Sequence, residues 1–97
     1  MRFFEGQPEA IGINLEVEKE LGLPDGLYDN IPALNLADYI VAIHERRSGY
    51  LWRLGGNSVR AAIAGKEQEA DQIMEKILNI KSYFREHPLM SFWDINL

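Results

Sequence analysis

The sequence predicts a mainly α-helical fold, a long antiparallel helical hairpin preceded by a short mixed or helical N-terminal segment. Two observations predict it. Apolar residues recur every three or four positions from residue 36 to residue 84, and proline and glycine interrupt the first 34 residues. A chain of 97 residues is long enough for one core but not for two. We therefore expect a single domain over residues 1–97.

The N-terminal segment, residues 1–34, is divided into short elements by turn residues from Pro8 to Pro32. Within it the stretch INLEVEKELG has an ambiguous pattern. Its apolar residues alternate as in a strand, but Asn14 can cap a short helix that Gly22 ends. Acidic residues in the first turn and strong helix formers favour the helix.

The first long helix is predicted over residues 35–55. Asn35, with Asp38 three residues later, has the pattern of a helix N-cap. The apolar stripe that follows comprises Leu36, Ile40, Ile43, Tyr50 and Leu54. Gly55-Gly56 then predicts the C-cap of this helix and the hairpin turn.

The second helix is predicted over residues 57–86, capped by Asn57 or Ser58 and ended by His87-Pro88. Its apolar stripe comprises Val59, Ile63, Ala70, Ile73, Ile77, Ile80 and Phe84. A helix of about 28 residues is roughly 42 Å long, more than a compact monomer of this size covers. We therefore expect a homo-oligomer. Residues 87–97 form an apolar tail that packs on the long helix or inserts into a partner.

Composition excludes several classes of function. The chain has no cysteine, so disulfides, thiolate metal sites and cysteine nucleophiles are excluded. The N-terminus lacks the apolar core of a signal peptide, and the longest aliphatic run, IVAI, is far shorter than the roughly 20 residues of a membrane span. We expect a cytoplasmic protein without a membrane contact.

Catalytic and metal-binding patterns are also lacking. HERRS is not the zinc-binding H-E-x-x-H, and GGNS lacks the lysine and the preceding strand of a phosphate-binding loop. No G-x-S-x-G occurs. We therefore expect no enzyme activity, no metal and no cofactor.

Charge is unevenly distributed along the chain, whose net charge is −5. Residues 1–45 carry nine acidic and two basic side chains, a net −7, whereas residues 46–97 carry eight basic and six acidic ones, a net +2. The stretch from Arg46 to Lys66 contains five basic residues and no acidic one. Because phosphate neutralisation dominates nucleic-acid affinity, the overall acidity argues against direct nucleic-acid binding.

Arg47 falls in the middle of the first apolar stripe, and Lys66 lies between Ile63 and Ala70 on the second. With a turn at Gly55-Gly56 the two cations would face each other across the hairpin, which is unfavourable without compensation. Three arrangements would resolve the conflict. The charged ends reach water, Arg47 pairs with an acid of the N-terminal segment, or an anion binds between the two cations. The candidate acids are Glu16, Glu18 and Glu20.

Trp52 is predicted on the outer face of the first helix, beside Arg46 and Arg53. An outward tryptophan next to arginines indicates an interface, unless the N-terminal segment or the tail covers it. These three residues and Arg60 are the predicted contact surface. The acidic N-terminal half is the alternative surface.

These features predict a non-enzymatic protein that occupies a surface of another protein or protein complex, as an inhibitor, an immunity-type protein or an adaptor does. Small size, acidity and the lack of catalytic patterns are compatible with phage- or plasmid-borne inhibitors of bacterial defence systems or toxins. The alternative is an oligomer that binds a nucleotide or another phosphorylated small molecule near the turn, through Arg47, Tyr50, Arg60 and Lys66.

Overall fold

A computed structural model describes residues 6–89, and it confirms the mainly helical hairpin. The chain forms a 3₁₀ turn over Pro8–Ile11 and then three α-helices, α1 over Leu15–Glu20, α2 over Leu36–Ile63 and α3 over Glu67–Glu86. Helices α2 and α3 pack against each other and form the hairpin. None of the helices within residues 6–89 has the length and apolarity that crossing a membrane requires.

Residues 6–34, which we call the strap, pack on the part of the hairpin that lies away from its turn. The ambiguous stretch is helical, as favoured. The Asn14 side chain accepts a hydrogen bond from the Val17 amide at 3.2 Å, and Gly22 follows α1 with a φ of 93°. Two clusters of buried side chains hold the strap on the hairpin. One contains Ile11, Ile13, Tyr28, Ala33, Tyr39, Ile40 and Ile43, and the other contains Leu23, Leu54, Ile77 and Ile80.

Local signals place the outer ends of the hairpin correctly. The Asn35 side chain accepts a hydrogen bond from the Asp38 amide at 2.9 Å, which confirms the predicted N-cap of α2. Helix α3 ends at Glu86, directly before His87-Pro88, also as predicted. The apolar tail predicted over residues 87–97 lies outside the described residues from residue 90 onward.

The predicted position of the hairpin turn is wrong. Helix α2 does not end at residue 55 but continues through Gly55-Gly56 to Ile63, and α3 begins at Glu67 rather than at residue 57. The turn lies at Gly65, whose φ is 80°. Its geometry is a Schellman cap, in which the Lys66 amide donates to the Ala61 carbonyl at 2.9 Å and the Gly65 amide donates to the Ala62 carbonyl at 3.1 Å.

Packing of the residues beyond Gly55-Gly56 explains why the helix continues. Ser58 and Ala61 are buried on the face of α2 that meets α3. The Ser58 hydroxyl donates a hydrogen bond to the Ala70 carbonyl at 3.2 Å. Each glycine in a helix costs about 1 kcal/mol relative to alanine, and the extra hairpin contacts offset that cost.

Alanine substitutions at the two glycine positions test the observed turn. Gly55→Ala should raise the free energy of unfolding by about 0.5–1 kcal/mol, since an added Cβ meets no atom within 4 Å and the residue is helical. Gly65→Ala should lower it by about 1–2 kcal/mol, because the left-handed backbone disfavours a side chain. Urea unfolding of both variants checks this. A hairpin that turned at Gly55-Gly56 would give the opposite order.

Candidate functional site

Arg47 forms a buried ion pair with Glu18 of the strap. Its Nη2 lies 2.6 Å from Glu18 Oε2, and the two side chains are only 6% and 3% exposed. Arg47 Nε also donates a hydrogen bond to the Tyr28 hydroxyl at 2.9 Å, and that hydroxyl donates to Glu18. Of the three arrangements expected for Arg47, the structure has the pairing with an acid of the N-terminal segment.

The same guanidinium also contacts the second helix of the hairpin. Arg47 Cζ lies 3.9 Å from the centroid of the Phe84 ring on α3, and 5.7 Å from the centroid of the Tyr28 ring. Stacking on aromatic rings suits the planar, weakly hydrated guanidinium. Arg47 of α2 thus joins α1, the loop after it and α3.

Arg47 and Lys66 do not face each other. That expectation is wrong because it depended on a turn at Gly55-Gly56. With the turn at Gly65, Arg47 lies level with Phe84, and Lys66 lies in the turn itself, where it is exposed.

Arg46 and Tyr50 also bind the strap. Arg46 Nη1 donates to the carbonyls of Leu27 and Asp29, both at 3.0 Å. The Tyr50 hydroxyl donates to the Gly22 carbonyl at 3.1 Å. Three of the seven predicted binding residues, Arg46, Arg47 and Tyr50, therefore have a structural role within the chain.

Trp52 stands at the wall of an apolar groove between α2 and α3. Its side chain is 85% exposed, so the described part of the strap does not cover it. The groove has a volume of about 690 Å³. Its lining residues are Ser48, Leu51, Trp52, Gly55, Gly56, Val59, Met74, Ile77 and Lys81.

The groove has a buried floor and low walls. Ile77 belongs both to the lining and to the buried cluster around Leu54, so the floor of the groove is the outer surface of the core. Gly55 and Gly56 contribute no side chain, which deepens the groove beside Trp52. The apolar surface extends beyond the groove, because Ile63 is 81% exposed and Leu78 is 61% exposed.

Arg53, Arg60 and Lys66 are exposed along α2 and in the turn. Arg46, Arg53 and Arg60 are seven residues apart, so helical geometry places them on one flank of α2. Arg60 donates a hydrogen bond to the neighbouring Asn57 side chain. Within residues 6–89, Arg53 and Lys66 form no ion pair.

The four residues of the predicted anion site do not converge. Arg47 and Tyr50 bind separate atoms of the strap. Arg60 and Lys66 line a different depression near the turn, together with Glu69, whose negative charge opposes anion binding. In the part of the chain that the structure describes, no three His, Asp or Glu side chains are grouped so that they could hold a metal ion.

Sequence reasoning missed Tyr28, Phe84 and Met74 as partners of the predicted residues. Tyr28 lies in the turn-rich strap, where no periodicity reveals which way a side chain points. Phe84 was recognised as part of the α3 stripe, but the misplaced turn concealed that it lies level with Arg47. Met74 lies four residues before Leu78 on α3, a helical spacing that marks an apolar edge next to the Ile73–Ile77 stripe.

Comparison with known proteins finds no family model that matches the chain, and neither a curated protein nor a solved structure with significant similarity to it.

Removing one partner of the buried pair should destabilise the fold strongly. Arg47→Met should lower the free energy of unfolding by about 3–5 kcal/mol, because it leaves Glu18 buried without its counter-ion. Arg47→Met combined with Glu18→Leu should cost less than the sum of the single substitutions. Urea titration followed by circular dichroism measures all three. The matched control is exposed Arg53→Met, expected within about 0.5 kcal/mol of wild type; an equally small effect of Arg47→Met would contradict the structural role.

Stability should fall at alkaline pH. Burial and the hydrogen bond to Glu18 raise the pKa of Tyr28 above its usual value of about 10, against an opposing effect of Arg47. A raised pKa in the folded state means that this stabilisation is complete below pH 10 and is lost as the pH rises above it. The unfolding free energy of wild type should therefore decline above about pH 10 more steeply than that of Tyr28→Phe. Parallel slopes of the two proteins in urea unfolding between neutral and alkaline pH would contradict this.

Proposed function

We propose that the protein is a non-enzymatic binding protein that occupies a surface of a partner protein through the groove beside Trp52. The observation that carries the proposal is a tryptophan that is 85% exposed at the wall of an apolar groove. Within residues 6–89, neither the strap nor the hairpin buries that ring. The Trp52 ring therefore contributes little to the stability of the described fold.

The energy available at Trp52 suits an interface anchor. A tryptophan buries about 150–250 Å² on docking, which corresponds to about 4–6 kcal/mol at the usual coefficient for apolar surface. Tryptophan and arginine are the residues most enriched among those that dominate binding energy. Arg53 lies directly beside Trp52 in the chain, and it is exposed as well.

The extent of the apolar surface favours a macromolecule over a small apolar ligand. Trp52 and Ile63 are eleven residues apart on α2, a distance of roughly 16 Å along the helix, and both are more than 80% exposed. Val59 and Leu78 extend the same surface. A stable interface needs about 800 Å² per partner, more than Trp52 supplies alone, and this wider surface contributes to it.

A protein that acts by occupancy needs affinity and a rigid surface rather than reactive groups. An inhibitor, an immunity-type protein or an adaptor works in this way, and a viral or plasmid-borne inhibitor of a bacterial defence protein is one form of it. The alternative hypothesis assigned Arg47 to an anion, but the charge of Arg47 is compensated by Glu18 instead.

The cytoplasmic location and the homo-oligomer expected from the sequence remain predictions.

Trp52→Ala should weaken partner binding without unfolding the protein. The tagged chain is used to capture proteins from cells in which it acts, and the captured protein is then purified and titrated by calorimetry. Trp52→Ala should weaken binding about thirtyfold, the effect of losing an anchor worth about 2 kcal/mol. Its melting temperature should stay close to that of wild type, because the ring is exposed.

Leu34→Ala is the matched control, since Leu34 is also apolar and 59% exposed but does not line the groove. It should bind the captured protein as wild type does. Equal affinities of wild type and Trp52→Ala would place the interface elsewhere and overturn the proposal.

A further inference from the structure

We infer that the face of the hairpin that carries Trp52 is self-complementary, and that a second copy of the chain docks on it as an antiparallel twofold dimer. Trp52 and Leu78 lie near the twofold axis, and Asp71 of each copy pairs with Arg85 of the other. This inference goes beyond the proposed function and does not depend on it. Where both hold, the second copy covers the groove until a partner protein displaces it.

Trp52 and Leu78 lie on the same face of the hairpin, opposite the strap. The Tyr50 hydroxyl donates a hydrogen bond to the Gly22 carbonyl of the strap, and Lys76 Nζ lies 5.6 Å from the centroid of the Tyr50 ring. Trp52 follows Tyr50 by two residues, and Leu78 follows Lys76 by two, which is about 200° around each helix. Both side chains therefore point away from the strap, and both are exposed.

Trp52 and Leu78 also lie at nearly the same level of the hairpin. Arg47 contacts Phe84, and α2 and α3 run antiparallel. Six residues after Arg47 and six residues before Phe84 the levels therefore still agree. That step leads to Arg53, the neighbour of Trp52, and to Leu78. A twofold axis across this level passes close to both Trp52 and Leu78.

The apolar row on α2 is symmetric about Trp52. Val41 lies eleven residues before it and Ile63 eleven residues after it, and eleven residues are close to three turns of a helix. The three side chains therefore form one row, and all three are exposed. An antiparallel second copy places Ile63 of one chain against Val41 of the other at both ends of this row.

The row on α3 is symmetric in position and opposite in charge. Asp71 lies seven residues before Leu78 and Arg85 seven residues after it, so the three lie on one row. Both charged side chains are exposed, and within residues 6–89 neither forms an ion pair. An antiparallel second copy centred on Leu78 places each Asp71 opposite Arg85 of the other copy, which gives two ion pairs.

Neighbours on α3 itself do not neutralise these charges. Asp71 has an acid four residues away on either side, Glu67 and Glu75, and like charges at this spacing destabilise a helix. Arg85 has Lys81 four residues before it. The helix dipole does not account for the pattern, because its effect falls off within the first and last turn, and Glu75 and Lys81 lie farther inside α3. An antiparallel neighbour brings the acidic half of one α3 to the basic half of the other and so compensates the repulsion.

Sedimentation equilibrium of the 97-residue chain tests the dimer. Low ionic strength is used, because salt screens exposed charges. The concentrations run from about 1 to 100 μM, since interfaces of ordinary size have micromolar or lower dissociation constants. Wild type should dimerise in this range. Asp71→Arg and Arg85→Asp should each raise the dissociation constant about tenfold or more, because each places like charges opposite each other twice.

Restoration by the opposite substitution is the decisive result. An equimolar mixture of Asp71→Arg and Arg85→Asp should form a mixed dimer about as tight as that of wild type, since each substituted residue then faces an opposite charge. A single chain with both substitutions should dimerise like wild type for the same reason. The matched control is Glu69→Arg, the same charge change at an exposed position of α3 about 200° away from Asp71. It should dimerise as wild type does.

Three results would overturn the inference. A monomer at every concentration would leave the face to another occupant, and the proposed function would be judged separately by the titration of the captured protein. A dimer that Asp71→Arg and Glu69→Arg affect equally would lie on another surface. A dimer weakened by Asp71→Arg and by Arg85→Asp but not restored in their mixture would have a different register. Conversely, a captured protein that binds Trp52→Ala as tightly as wild type would overturn the proposed function and leave the dimer intact.

Discussion

The buried pair of Arg47 and Glu18 is the interaction on which the arrangement of the chain depends. Burying an unpaired cation in the apolar stripe of α2 would cost too much free energy for the fold to form. The hairpin therefore needs a carboxylate from another part of the chain. The strap supplies it and adds the Tyr28 hydroxyl, while Phe84 of α3 covers the guanidinium. An apolar core tolerates alternative packings, whereas a buried polar network specifies one arrangement, and among the described residues no buried side-chain nitrogen or oxygen lacks a hydrogen-bond partner. It therefore fixes the strap in one register on the hairpin.

The correct and the incorrect predictions differ in the range of the interactions that determine them. The caps at Asn14 and Asn35 and the end of α3 before Pro88 depend on neighbours within four residues, and the sequence contains these directly. The choice between Gly55-Gly56 and Gly65 as the turn depends on contacts between α2 and α3, which no local pattern contains. Both positions have glycine, and the packing of Ser58 against Ala70 decides between them.

The candidate site was predictable to the same limited extent. Periodicity placed Arg47 in an apolar stripe and Trp52 outside it, and the cost of an unpaired buried charge pointed to an acid of the strap. Helical periodicity alone could not choose among Glu16, Glu18 and Glu20, because all three lie on one short helix whose orientation is set by packing. The groove could not be predicted from the sequence either, because its prediction requires knowing which residues of α2 and α3 lie side by side. A turn misplaced by nine residues pairs the wrong side chains.

The strap divides the cations of α2 into two sets with different roles. It holds Arg46 through the carbonyls of Leu27 and Asp29, and it compensates the charge of Arg47 with Glu18. Arg53 and Arg60 are exposed, and they line two other depressions, one between α2 and the strap and one near the turn. Ile77 connects the strap with the groove beside Trp52. It belongs to the buried cluster that contains Leu23 of the strap, and it also forms the floor of the groove. A partner that binds the groove therefore also stabilises the packing beneath it, since any ligand of the folded state alone shifts the folding equilibrium towards that state.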